Sequence, residues 1–440
     1  MVLVYADEKT PRLEYTARLI FQEILGSEVD ITTDIHHFRM AILPKINYSR
    51  NRTGDELFLP PASLLFSTGT AMPAVIPVSC GEETGFFATP AGSFLPFDPF
   101  ASAFLMVSRM EEYASVKRDA HGRYPAAESI LHKHNLLGKA VVNRWALMIA
   151  EKLEEKEGRP IFPARKFSFL STIDVDNAWA YRNKGFLRSA ASLTGKILRR
   201  NLPGIKEQIN VWTGKRTDPN DTYPFLTDIF QGHEEQVRFF FLLGDFARYD
   251  RQVFWKNSEF QGLIREITRK YRTGLHPSYS ASSGASAHLI RKEKERLEKI
   301  TGEEVTLSRY HFLRLRFPES YRMLTEADLT DDFSMGYPDM PGFRAGIATP
   351  YYFYDLRREE ATRLLIHPFQ VMDVTLQQYL GFTPGEALAK IRTLMEEVKH
   401  CGGTFCSIWH NESLSDQGTW KGYRQVFESM NETGFRHENE

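Results

Sequence analysis

The chain has 440 residues, 42% of them hydrophobic and 25% charged, which excludes intrinsic disorder and permits a full core without covalent staples. Its 55 basic and 56 acidic residues nearly cancel, so bulk charge gives no reason to expect a nucleic-acid partner. Three cysteines, Cys80, Cys401 and Cys406, exclude a disulfide framework and a four-cysteine zinc site.

The opening residues, MVLVYADEKT, turn acidic by position 7 and contain no apolar segment of signal-peptide length. The longest apolar runs, such as FFFLL at 239–243, fall far short of the roughly 20 residues that span a membrane. A soluble, cytoplasmic protein is expected. The 32 phenylalanines imply either a thick core or stacking surfaces.

The first 160 residues read as a smaller α/β domain. VLVY (2–5) predicts a strand, and Leu13, Ala17, Ile20, Phe21 and Ile24 predict a helix ending near Gly26. Short strand-like runs follow between Pro and Gly: AILPKINYS, ELFLPP, SLLF and GFFATP. Helices are predicted over about 99–116 and 138–157, and EEKEGRPIFPAR (154–165) reads as a linker. No clustered ligands reveal a role for this region.

From 166 the pattern becomes strand, helix, strand. Seven strands are predicted: KFSFLSTID (166–174), VRFFFLLGD (237–245), TGLHPS (273–278), VTLSRYHF (305–312), DFSMGY (332–337), RLLIHPF (363–369) and GTFCSIWH (403–410). Helices are predicted between most of them, including 258–271 and 384–400. The latter begins with a capping box, Thr383 with Glu386, and Pro384 at its first turn. This alternation implies a parallel sheet or a β/α barrel with its site at the C-terminal strand ends. Residues 182–216 interrupt the rhythm with nine basic residues and one acidic residue, a net charge of +8. That stretch reads either as a solvated insertion or as a peripheral surface for anionic glycans, phosphate groups or a membrane face.

Polar residues of a few types close most of the strands. Asp174 and Asp176 lie two apart, so on a strand both side chains face one site. Two adjacent carboxylates ionise together cheaply only beside a cation, which suggests one metal ligand and one base. The competing reading is an Asp/Asn-rich turn capping the next helix. Gly274-Leu275-His276-Pro277-Ser278-Tyr279-Ser280 places a histidine at another strand end. Arg309 and His311 share a face of the predicted 305–312 strand, and Arg344 stands between glycines. His367 and Asp373 follow, and Trp409-His410 closes the last strand. Core packing does not explain such repetition.

This order of motifs resembles the polysaccharide deacetylase family (the NodB-homology domain, carbohydrate esterases) over about 165–430. The first 160 residues resemble an uncharacterised N-terminal domain that accompanies some bacterial members. The resemblance implies a distorted seven-stranded β/α barrel that removes N- or O-acetyl groups from carbohydrate with a divalent metal, often zinc. It implies Asp174 as general base, Asp176 and His276 as metal ligands, Arg309 as the residue orienting the base, and His410 as acid. Arg344 is expected in the catalytic set and Asp373 among substrate-binding residues. The sequence departs from the family at Ser280, where a second metal-binding histidine is expected, and in the wide gap holding the basic insertion. His311, at a neighbouring strand end, is the candidate third ligand in place of residue 280. Tyr279 and Trp409 are candidates to pack on a sugar face, or else ordinary packing residues. The resulting expectation is a metal-dependent carbohydrate deacetylase, with a glycan-binding member lacking catalysis as the alternative.

Overall fold

The strands gather into two principal sheets of parallel strands. The computed structural model describes residues 1–282 and 287–438. The smaller sheet comprises Val2–Tyr5 (β1), Val29–Thr32 (β2), Lys45–Asn47 (β3) and Leu57–Phe58 (β4), in the order β2-β1-β3-β4. Thr10 caps the helix Pro11–Arg18 by accepting from the Leu13 amide, and Pro11 supplies a pre-set φ at the first turn. The helix runs on through a wider π-helical stretch, Leu19–Ile24. A separate antiparallel hairpin joins Pro77–Cys80 (β5) to Glu83–Phe86 (β6). SLLF, expected as a strand, is a 3-10 turn over Ser63–Phe66. Leu64 and Leu65 are both buried, which a strand covered on one face does not allow.

The larger sheet has nine strands rather than the expected seven. They are Phe167–Val175 (β7), Val237–Phe241 (β8), Arg272–Leu275 (β9), Leu307–Ser308 (β10), Asp331–Asp332 (β11), Tyr351–Asp355 (β12), Glu360–Ile366 (β13), Val371–Met372 (β14) and Gly403–His410 (β15). Their order is β12-β13-β11-β10-β9-β8-β7-β15-β14, and among the described residues no strand pairing joins the two edges. All neighbours are parallel except β12 and β13. The two extra strands escape a count based on strand–helix alternation. β12 turns straight back onto β13 without a helix, and β14 is two residues long.

Period-two alternation divides the phenylalanines between two cores. Phe239 and Phe241 belong to the large cluster under the helices, where Phe241 meets Phe260 of the helix Ser258–Thr268. Phe240 points the other way, among Leu307, Phe333, Cys406 and Ile408. The aromatic content therefore builds a thick core.

The N-terminal region packs on the larger sheet through paired charges. Arg12 binds Glu359, Arg144 binds Glu397, and Glu112 accepts from both Arg109 and Arg344. The 154–165 connection is folded back: the Ile161 and Phe162 amides donate to Glu154. The basic stretch forms two helices, Phe186–Leu198 and Leu202–Trp212, and the side chain of Arg188 lies outside the described residues.

Candidate metal centre and active site

The parallel strands deliver their C-terminal residues to one rim. β7 carries Asp174 beside His410 of β15, and the two are partners in register. Asp176 follows one residue beyond the end of β7. His276 follows β9, and its amide continues the ladder by donating to Phe241. The strand expected over 305–312 is shorter, ending at Ser308. The ladder nevertheless continues, because the Arg309 amide donates to Leu275 and the His311 amide to Pro277. Arg309 and His311 thus keep the common direction that period-two alternation predicts.

Asp176, His276 and His311 each offer a ligand atom, and these atoms lie within 4.8 Å of one another. His276 Nε2 is 3.1 Å from Asp176 Oδ1, and His311 Nε2 is 3.4 Å from Asp176 Oδ2. Ligands about 2.0–2.1 Å from a tetrahedral zinc stand roughly 3.3 Å apart, so the spacing suits such an ion. Asp176 Oδ1 is buried without a hydrogen-bond partner, a cost that a cation would remove. Both histidines are also oriented as ligands. His276 Nδ1 donates to the Arg309 carbonyl, and His311 Nδ1 lies 3.1 Å from Asp250 Oδ1, which leaves each Nε2 lone pair facing Asp176. The residues present fit a divalent ion with three protein ligands.

Burial opposes ionisation of Asp176, but His311 and His276 hold its carboxyl well below the usual range. Burial likewise disfavours a cationic His311, and the Asp176 and Asp250 carboxylates outweigh it, raising the imidazole to about 9. A bound cation would replace that proton.

Two further pairs flank the triad. Arg309 Nη1 donates to Asp174 Oδ1 at 2.7 Å, and its Nε donates to the Phe333 carbonyl. The guanidinium lies over the Phe240 ring, 4.4 Å from its centre, so the arginine is fixed on three sides. His410 Nδ1 is 2.8 Å from Asp373 Oδ1, while the His410 amide donates to Asp373 Oδ2. Burial disfavours the His410 cation, but Asp373, then Asp176 and Asp174, raise its pKa well above the ordinary value. His410 Nε2 stands 3.8 Å from Asp176 Oδ2.

Asp174, Asp176, His276, His311 and His410 line one cavity of about 340 Å³. A second of about 500 Å³ adjoins it through Asp176 and His311, with Arg248, Tyr249, Arg251 and Glu412 in its wall.

The remaining expected residues sit elsewhere or act differently. Arg344 is not at the site; it is buried against Glu112 and the Gly336 carbonyl, where it ties the N-terminal region to the larger sheet. Trp409 is fully buried against Tyr423 and Phe427 and packs the core, because the side chain before His410 must face away from the rim. Tyr279 is half-buried, its ring tilted against Tyr249 and covered by the Arg314 guanidinium. Asp373 holds His410 rather than facing the cavity. His367 pairs with Asp331. Ser280 donates through its hydroxyl and its amide to Asp250.

Sequence reasoning missed two residues. Asp250 takes the Tyr279 and Ser280 amides, the Ser280 hydroxyl and His311 Nδ1, yet it lies in a loop with no motif. Arg123 comes from the N-terminal region and lines the cavity; it donates to Asp119, to the Phe312 carbonyl and to the Tyr379 hydroxyl.

A family model described as a family of unknown function, DUF7033, matches residues 2–158. No curated protein matches the chain. Among solved structures, the chain is similar to a protein of Mycobacterium smegmatis assigned as a polysaccharide deacetylase, at 15% identity and TM-score 0.40, covering 61% of this chain and 85% of that one. It is similar to Puue allantoinase at 12% identity and TM-score 0.38, covering 62% and 86%. It is also similar to a CE4 family pseudoenzyme from Bacillus anthracis at 12% identity and TM-score 0.29, covering 62% and 63%.

Proposed function

We propose that the protein is a metal-dependent hydrolase that removes acetyl groups from a carbohydrate. The observation carrying this reading is the grouping of Asp176, His276 and His311 between an arginine-held Asp174 and an aspartate-held His410. A triad open on one side, a base and an acid are the parts that acyl hydrolysis needs.

A divalent ion, with zinc fitting the nitrogen and oxygen donors, supplies charge that polarises an acyl carbonyl and acidifies a water. Asp176, His276 and His311 would hold it. Asp174 accepts the proton of the attacking water at its free carboxylate oxygen, while Arg309 fixes the other oxygen. His410, kept cationic by Asp373, donates a proton from Nε2 to the departing amine or alkoxide. Arg123 and Tyr379 wall the cavity where the acyl group enters.

The test is acetate release from acetylated oligosaccharides by metal-loaded protein, with Asp174→Asn and His410→Ala as controls. The reading expects release that each substitution lowers by about 10²–10⁴-fold. Sugar binding without release, equal in wild type and both variants, would instead identify a glycan-binding protein.

A further inference from the structure

We propose that the helical hairpin of residues 186–212 is a docking surface for an anionic lipid bilayer. The chain as a whole carries a net charge of −1, yet residues 182–216 carry +8. The two helices meet at Arg199-Arg200-Asn201, and every residue from Ile197 to Pro203 is exposed. At this tip Leu198 is 80% and Leu202 is 72% exposed, on either side of the arginine pair. Ile209 and Trp212 are exposed farther along the second helix, which buries only Gln208 and Val211. Exposed aliphatic residues held this closely together mark a contact surface.

The hairpin is a built platform. Lys196 donates to the Gln208 side chain and the Gly204 carbonyl across the two helices. Tyr181 donates its hydroxyl to Glu207, and Asp218 accepts the amides of Ala180, Tyr181 and Arg182 at the base. These bonds hold the tip while leaving its leucines uncovered.

The composition selects the occupant. Leucines flanked by arginines suit a bilayer interface, where the aliphatic groups enter below the headgroups and the guanidinium groups meet lipid phosphates. A nucleic acid would reward the arginines alone. No described helix is long and apolar enough to cross a membrane. A second excursion of similar composition leaves the same rim. β7 and β8 are parallel neighbours, so the segments following each leave the same rim. The segment after β8 exposes Phe246 and Phe254 near Arg248 and Arg251. Arg248 and Arg251 themselves line the mouth that holds Asp176.

The test is co-sedimentation of the full-length protein with vesicles of mixed phosphatidylcholine and phosphatidylglycerol, against phosphatidylcholine alone. The expected result is binding to the mixed vesicles only, weakened by salt. Leu198→Ser with Leu202→Ser, and separately Arg199→Glu with Arg200→Glu, should each weaken it by about tenfold or more, with circular dichroism unchanged. Asp174→Asn should bind vesicles as wild type does, which separates docking from hydrolysis. Three results would overturn the proposal. They are no binding to mixed vesicles, salt-sensitive binding untouched by the leucine substitutions, and a leucine-dependent dimer in sedimentation without vesicle binding.

Discussion

His311 Nδ1 lies 3.1 Å from Asp250 Oδ1, and that pairing turns Nε2 toward Asp176. Asp250 is fully buried and is itself held by the Tyr279 and Ser280 amides, so the imidazole has one orientation. Replacing Asp250 by Asn keeps the shape and removes the charge. It should weaken divalent-metal affinity by about 10–100-fold, read by calorimetric titration, while leaving the stoichiometry at one site.

The same geometry assigns a role to position 280. The Ser280 hydroxyl serves Asp250 rather than the triad. Ser280→Ala should therefore keep metal binding within about tenfold of wild type, as the loss of an outer hydrogen bond implies. His311→Ala should abolish measurable binding under the same conditions. Equal loss in both variants would return the ligand role to residue 280.

His410 owes its raised pKa first to Asp373, against the opposing effect of burial. A general acid works while protonated, so activity declines as pH rises through its pKa. Asp373→Asn removes the main raising charge and lets the pKa fall toward the ordinary value of about 6.5. The alkaline limb of the kcat profile should shift to lower pH, with the acidic limb unmoved. An unshifted alkaline limb would take the acid role from His410.

Glu112 is buried and accepts from both Arg109 and Arg344. Glu112→Gln leaves the buried Arg344 without its counter-charge and Arg109 with Glu111 alone. Destabilisation of about 3–5 kcal/mol is expected from chemical denaturation. Because Arg344 lies outside the cavity, the surviving folded fraction should retain metal affinity.

The strand-end residues were legible in the sequence because a parallel sheet sends every C-terminal end to one rim. Asp174, Asp176, His276, Arg309, His311 and His410 meet there for that reason. The capping box at Thr383 and Glu386 was legible because it is local. Arg344 was misplaced because glycine neighbours do not disclose a partner more than two hundred residues away. Trp409 was ambiguous because the direction of one side chain depends on the register of its strand. Asp250 and Arg123 were invisible because loops bring them in without periodicity. Nor could alternation with helices reveal β12, an antiparallel edge strand.

The central claim is that Asp176, His276 and His311 form a divalent-metal site serving hydrolysis. Titration of zinc into metal-stripped wild type, followed by acetate release from the same samples, tests it most directly. One ion per chain is expected, with activity that rises in step with occupancy, both lost in His276→Ala and His311→Ala. Wild type that binds no ion at the triad, or that releases acetate equally with and without it, would contradict the account.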